Sequence, residues 1–382
     1  MRDVFIVGVG LTKVQEHWHL SLRSLGAHAV LAALADAGEQ TADCLYVGNM
    51  LSGQVSGQEN LGTLLADESG LLPIEAMKVE AACGSGGACV RNAVLAVASG
   101  AAERAIAVGV EKMTDVAADV IAGGLATASD QEFEASFGLS FVGMAGLLMQ
   151  RYLHETGRSR EDFAPFVINA HKNAVTAEHA MFHSAITAEQ YLKTPMVASP
   201  LGVLDAAPVC DGAAALYVCS KEALQPGHRA VRVAASAVAT DTISLATRGS
   251  LTKLSAAAHS SAKAFARAKA SPEDIQLFEP HDAFTIMTAL ALEACGFAKT
   301  GTVLDLARDG AFAPSGKLPI CTFGGLKGRG HPVGASGAYQ IAEACLQLRG
   351  EAKQNQIAGA KRAMTQSIGG HGAVAITHIL EV

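Results

Sequence analysis

Cys83 lies in Ala82-Cys83-Gly84-Ser85-Gly86-Gly87, between a run that reads as a strand and a stretch with helical spacing. A thiol at such a junction faces unpaired backbone N–H groups and the positive end of a helix dipole, which favour the thiolate. The glycines remove side chains that would keep a substrate away from the backbone. The remaining cysteines, at 44, 89, 210, 219, 295, 321 and 345, have no such setting and read as small buried residues. A second constellation runs from Gly324 to Gly337 and places one histidine, His331, in a glycine-rich turn. A packing histidine rarely needs so free a backbone. The third is Glu279-Pro280-His281-Asp282-Ala283-Phe284, a strand end turning into a helix, where His281 is either a site residue or a capping one. The fourth, Ser367-Ile368-Gly369-Gly370-His371-Gly372, is a glycine turn before the last strand. A nucleophile with imidazoles near it is a setting for covalent catalysis.

The elements that must hold these turns alternate. Residues 4–9 read as a buried strand, 21–37 as a helix stopped at Gly38, and 44–48 and 78–81 as strands. A helix over 88–99 stops at Gly100, and 104–110 has the small and β-branched residues of a strand buried on both faces. Strands return near 214–219 and 231–235, followed by a helix over 255–270. This is α/β architecture. Residues 116–200 break the alternation, with more charge and histidine and helices at 143–155 and 162–177; they read as an inserted cap. Ser85-Gly86, a helix, Gly100 and a strand from Glu103 are echoed by Ser336-Gly337, a helix, Gly350 and a strand from Lys361. The echo predicts two similar halves with a site where their turns converge.

Apolar residues make up 50% of the 382, and charged residues 17%, where about 25% is usual. Such a chain buries enough apolar area to fold, and its few charges point to surface hidden in an oligomer. The net charge of −7 argues against a nucleic-acid partner. No apolar run reaches the ~20 residues of a membrane span. The scattered cysteines, with no Cys-x-x-Cys pair, suit a reduced, cytoplasmic enzyme. Gly8-x-Gly10 lacks the third glycine of a dinucleotide fingerprint, because Lys13 occupies its place. His179 and His183 read as surface residues, and His17 and His19 as part of a loop.

Over nearly the whole chain, and in order, these motifs resemble the thiolase superfamily. The match comprises Cys83-Gly84-Ser85-Gly86, Ser199-Pro200-Leu201 through Cys210-Asp211-Gly212, Gly330-His331-Pro332 through Gly337, and the terminal glycine turn. His281-Asp282-x-Phe284, where many thiolases carry Asn-Glu-x-Phe, is similar to the sterol-carrier-protein-x and archaeal branch. The resemblance implies an α/β, thiolase-like five-layer α/β/α/β/α body. Its two pseudo-symmetric halves would span 1–115 with 200–230, and 231–382, with a coenzyme A-binding loop domain at 116–199. It further implies coenzyme A thioesters as substrates, no tightly bound cofactor, no metal, and a homodimer or homotetramer. A small OB-fold or zinc-ribbon partner, encoded separately, is also implied.

Carried over by residue, Cys83 matches the acyl-accepting nucleophile and His331 the histidine that activates it. His281 matches the position that helps bind the thioester oxygen of a second substrate. The N–H groups of Cys83 and Gly369 match an oxyanion hole, and Phe284 and Phe137 match apolar positions against the pantetheine arm. Many thiolases have a second cysteine at the position of Ser367, and sterol-carrier-type relatives have it at the position of Ala283. Neither is cysteine here, so Ser367 is a weak substitute and proton transfer falls to His331, His281 or water. The expected activity is that of an acetyl-CoA C-acetyltransferase. Transfer to a non-CoA acceptor and a non-catalytic acyl-CoA or lipid-binding scaffold are the alternatives.

Overall fold

The computed structural model describes residues 2–382. The first half contains β1 (Val4–Leu11), α1 (Leu22–Ala37), β2 (Cys44–Gly48), α2 (Ser52–Val55), α3 (Leu61–Glu68), β3 (Glu75–Val79), α4 (Ser85–Ser99) and β4 (Arg104–Glu111). A mostly helical insertion follows, with α5 (Ala118–Ala126), α6 (Phe141–Thr156), α7 (Ala164–Ala174), α8 (Ala188–Leu192) and a hairpin of β5 (Met196–Ala198) and β6 (Leu201–Gly202). β7 (Gly212–Ser220) then returns to the sheet. The second half contains β8 (Val231–Thr240), α9 (Ser255–Ala268), β9 (Leu277–Glu279), α10 (Thr285–Ala294), α11 (Val303–Arg308), α12 (Gly325–Gly328), α13 (Ser336–Arg349), β10 (Arg362–Gly369) and β11 (Val374–Glu381).

Nine strands form one sheet in the order β3-β2-β4-β7-β1-β8-β11-β10-β9. β1 and β8 pair only through Phe5 with Arg232 and Ile6 with Val231, so the sheet divides there into two halves. Each half repeats one plan. In the first, β2 is parallel to β3 and β4, and β4, β7 and β1 follow antiparallel. In the second, β9 is parallel to β10, and β10, β11 and β8 follow antiparallel. Where the first half has β3, the second has a single parallel bridge from Phe278 to Ile320. The repeat expected from the sequence echo is therefore present in topology, with one strand reduced to a bridge.

α4 and α13 form the middle layer and touch strands of both halves, while α1 covers the outside of the first half and α9 that of the second. This gives the five layers. α13 is buried around nearly its whole circumference, as a central helix must be. At the α4–α13 crossing, a Cβ on Gly86 would lie 2.7 Å from the Ala338 nitrogen and 2.8 Å from the Gly334 oxygen, so the backbones meet only because glycine is there. The two helices start at Ser85 and Ser336 and stop at Gly100 and Gly350, both left-handed at φ 85° and 74°. α1 starts where the Ser21 hydroxyl accepts the Ser24 N–H at 3.2 Å.

Some expectations shift. The strand read at 78–81 lies at Glu75–Val79, because parallel pairing with β2 fixes its register and its place at the sheet's end leaves polar residues exposed. The helix expected at 88–99 begins at Ser85. The helical stretch at 162–177 is a 3₁₀ turn, Arg160–Phe163, followed by α7.

Candidate active site

The chain enters Cys83 from Ala82, whose φ of 49° is left-handed, an uncommon and strained setting for a residue with a Cβ. α4 begins two residues later. Cys83 is 1% exposed, at the foot of the central layer. Its Sγ and one ring nitrogen each from His281 and His331 lie within 4.8 Å of one another. The two imidazoles meet edge to face, with centroids 5.2 Å apart. Thus β3–α4 supplies the thiol, α12–α13 supplies His331 and β9–α10 supplies His281, three turns from both halves.

His331 has a defined orientation. Its Nδ1 is 2.7 Å from the Ser336 Oγ, and the Ser336 hydroxyl lies 3.3 Å from the Pro332 oxygen, to which it donates. Ser336 therefore accepts from Nδ1–H, which leaves Nε2 as the bare acceptor. That Nε2 is buried with no protein partner, as is Nδ1 of His281. Burial, with the neighbouring His281 ring and the Arg329 charge, holds His331 well below its usual value, and burial brings His281 down to about 4. Both rings are neutral at pH 7. Burial also pushes the Cys83 thiol up to about 12, and the Glu111 carboxylate adds to the push. The sequence pointed to a thiolate at rest; desolvation outweighs the helix end, and the resting group is a thiol.

The other expected residues separate. Gly369 abuts the nucleophile turn: a Cβ on Gly84 would sit 3.3 Å from the Gly369 nitrogen. Phe284 is buried beside Phe141 and stacks on His371, centroids 6.0 Å apart in each case. Phe137 is 81% exposed on a 3₁₀ turn of the insertion, so it does not line the buried site with Phe284. Ser367 is fully buried, but its hydroxyl donates to Gln340 Oε1 at 3.1 Å and packs where Gly87 and Gly337 leave room between α4 and α13. The structure gives it a partner in the helix crossing and no bond to the thiol or the imidazoles. His179, read as a surface residue, is buried against Glu343 at 2.7 Å.

Sequence reading missed the side chains that position the turns. The buried Glu111 carboxylate accepts from Asn49 Nδ2 at 2.8 Å, from the N–H groups of Met50 and Leu51 at 3.0 Å, and from that of Gly334 at 2.9 Å. It joins the end of β4 to the turn after His331, and burial raises it to about 7. Lys327 donates to the Asp282 carboxylate at 2.8 Å and to its carbonyl at 2.9 Å, fixing the His281 turn against the glycine turn. Arg329, fully buried, pairs with Glu343 at 2.8 Å. Asp211 accepts from Met113 N–H at 2.7 Å, Thr114 Oγ1 at 2.6 Å and Lys112 Nζ at 2.9 Å. His371, quoted only as part of a turn, is buried with Nε2 unpartnered.

Cys83, His281 and His331 are also the one group of side chains among the described residues close enough to share a metal ion. Zinc binding requires a thiolate and usually a fourth donor, whereas here burial favours the thiol. A buried thiol beside a bare imidazole nitrogen, with a second unpartnered imidazole facing the same space, is arranged for proton removal, nucleophilic attack and hydrogen bonding to a developing oxyanion.

Comparison with known proteins gives matches over nearly the whole chain. The family description "Thiolase, N-terminal domain" matches residues 4–222, and "Thiolase C-terminal domain-like" matches 237–382. The chain is 44% identical over 382 residues to an acetyl-CoA acetyltransferase of Methanothermobacter thermautotrophicus, covering 99% of each. It is 40% identical to an acetyl-CoA acetyltransferase of Methanocaldococcus jannaschii, over 100% of this chain and 99% of the other. A solved structure described as an Ltp2-ChsH2(DUF35) aldolase matches with a TM-score of 0.86 and 26% identity, over 100% of this chain and 98% of that one.

Proposed function

Since the chain belongs to the thiolase family, we propose that it makes or cleaves a carbon–carbon bond between acyl-CoA thioesters through an acyl group held on Cys83. It is a thiolase-type acyltransferase, similar over its full length to acetyl-CoA acetyltransferases. The carrying observation is the convergence of the Cys83 thiol with two neutral imidazoles, each with an unpartnered ring nitrogen.

In the first half-reaction His331 Nε2 takes the thiol proton as Sγ attacks the thioester carbonyl. The N–H groups of Cys83 and Gly369 receive the oxyanion. Coenzyme A leaves as a thiolate and takes the proton from His331, so the enzyme ends acylated and neutral. In the second, an α-proton passes to an imidazole while His281 holds the enolate oxygen of the second thioester. The enolate carbon attacks the acyl carbon, the bond to Sγ breaks, and the proton returns to sulfur. Ser367, held by Gln340, is not needed for this sequence. Phe284 and its neighbour His371 flank the acyl group, and Phe137, exposed on the insertion, is placed to meet the pantetheine arm only when substrate lies across it. The units 1–115 with 200–230, 116–199, and 231–382 then divide the labour between the two halves and the coenzyme A cap.

Intact-protein mass spectrometry after mixing with acetyl-CoA should show one added acetyl group, absent in Cys83→Ala. An adduct that survives the substitution would overturn the assignment. A second reading, transfer to a non-CoA acceptor, is favoured by the lack of cysteine at Ser367 and Ala283, since an activated acceptor needs no strong base; product analysis with acetyl-CoA alone separates the two. The ChsH2(DUF35) component in the solved relative's description supports a small partner chain for this protein as well. We also place it in the cytoplasm as a homo-oligomer; no helix among the described residues is long and apolar enough to cross a membrane.

A further inference from the structure

At the seam between the halves, two guanidinium groups meet with no carboxylate between them. β1 pairs with β8 only at Phe5–Arg232 and Ile6–Val231, so β8 beyond Arg232, past the start of β1, has an open edge on that side. At that edge the carbonyl oxygen of Ser236 accepts from Arg91 Nη1 of α4 at 2.6 Å and also from Arg267 Nη1 of α9. The helices approach from opposite faces. Thr377 bonds Ser260 of α9 at 2.9 Å, whereas its neighbour His378 points to the other face, with the α4 side chains. Arg91 also reaches the Ser236 hydroxyl, at 3.3 Å. Almost every other arginine that is even partly buried has an acidic partner; Arg91 and Arg267 have none within 4.0 Å among the described residues.

A second observation lies beside the first. His378 is the cross-strand partner of Ser236, so its side chain stands on the same face, about 5 Å away at Cβ. It is fully buried, and neither ring nitrogen has a hydrogen-bond partner. A buried imidazole with both nitrogens unsatisfied is uncommon. Arg91 and Arg267 open onto a cleft of about 380 Å³, lined also by Arg2, Asp3, Arg232, Val233 and Ser236; His378 is not part of its wall. Of its arginines, Arg2 is neutralised by Glu103, and Arg232 by Asp3 and by Glu381, which it shares with Arg362. Two positive charges remain.

We propose that this cleft binds a small dianionic oxyanion, phosphate or sulfate or the phosphate of a phosphomonoester, held by Arg91 and Arg267 in a fork. Each guanidinium keeps further N–H donors beyond its bond to Ser236, and two such forks side by side suit the several acceptor oxygens of such a group. The cleft has room for an ester substituent beyond the phosphate. The site is separate from Cys83 but lies on its helix: Arg91 is six residues beyond Ser85, roughly 9 Å along α4. It does not rest on the acyl-transfer reading.

Calorimetric titration of the full chain with inorganic phosphate, and separately with glycerol 3-phosphate, tests this at constant ionic strength. Saturable 1:1 binding is expected, weakened at least ~10-fold in Arg91→Gln and in Arg267→Gln, as loss of one charge-assisted bond requires. Tighter binding of glycerol 3-phosphate identifies an ester as the ligand, and equal or weaker binding identifies the free ion. Should Arg91→Gln fail to fold, the exposed Arg267→Gln decides alone. Absence of saturable binding below about 10 mM, or equal binding by wild type and Arg267→Gln, overturns the proposal.

Discussion

The proposed reaction gives Ser367 and His281 different duties, and their substitution should part accordingly. Ser367→Ala removes one hydrogen bond to Gln340 and should cost about 1 kcal/mol of stability, while acylation and condensation stay within ~2-fold of wild type. His281→Ala should acylate normally yet lose condensation by ~10²–10³, the value of one oxyanion donor. Single-turnover acylation measured beside acetoacetyl-CoA cleavage distinguishes them; equal losses would return Ser367 to the proton path. The thiol, His331 and His281 were legible because each stands in a short motif whose glycines or turn residues make sense only at a site. Glu111 was not, since its partners lie 61 and 223 residues away and no local pattern announces them. Nor could the sequence show that burial would overrule the helix dipole at Cys83. That balance depends on how completely three turns close over it.

At the scale of elements, the crossing of α4 with α13 sets the distance between Cys83 and His331, because each residue lies just ahead of one of these helices. Gly86→Ala would put a Cβ against the backbone of Gly334 and Ala338, where no flexible side chain can yield. Overpacking of this kind should destabilise by ~1–3 kcal/mol and slow acylation more than the stability loss explains, since the two starts are pushed apart. Urea unfolding and single-turnover acylation check both halves of that expectation. The echo of Ser-Gly, helix and Gly made the stops of these two helices readable at Gly100 and Gly350, although α4 begins three residues ahead of the expected position. β3 was less readable. Its position comes from hydrogen bonding to β2, and an end strand with alternately exposed Glu75, Met77 and half-buried Lys78 carries a weak apolar signature.

Over the whole molecule, buried imidazoles dominate the response to acid. Burial holds His171, His281, His331, His371 and His378 below their usual value, to about 4 for His281 and about 3 for His371 and His378. The unfolded chain takes up these protons as the pH falls through about 6.5 and the folded chain does not, so stability drops. Glu111 and Glu279, raised by burial to about 7 and about 8, act in the opposite sense above pH 4.5, but they are outnumbered. The free energy of unfolding should therefore fall from pH 6.5 to 4.5, by about 1.4 kcal/mol per pH unit for each net proton, and the thermal midpoint with it. A midpoint that rises on acidification would contradict these burials.

Exposed Met77 on β3 adds an expectation about assembly. Light scattering should give a multiple of the chain mass, and Met77→Lys should reduce it.

The reduced repeat in the second half has its own bearing on that assembly. Ile320 bridges to Phe278 on the far side of β9, whereas nothing among the described residues pairs with the outer side of β3. Had both copies kept an open terminal strand, each chain would be bivalent, and edge-to-edge growth could run on into a filament. With a single adhesive edge the valence would be one. Two chains that join through it by a twofold axis satisfy each other and leave no end to extend, so stoichiometry is limited by topology and not by concentration.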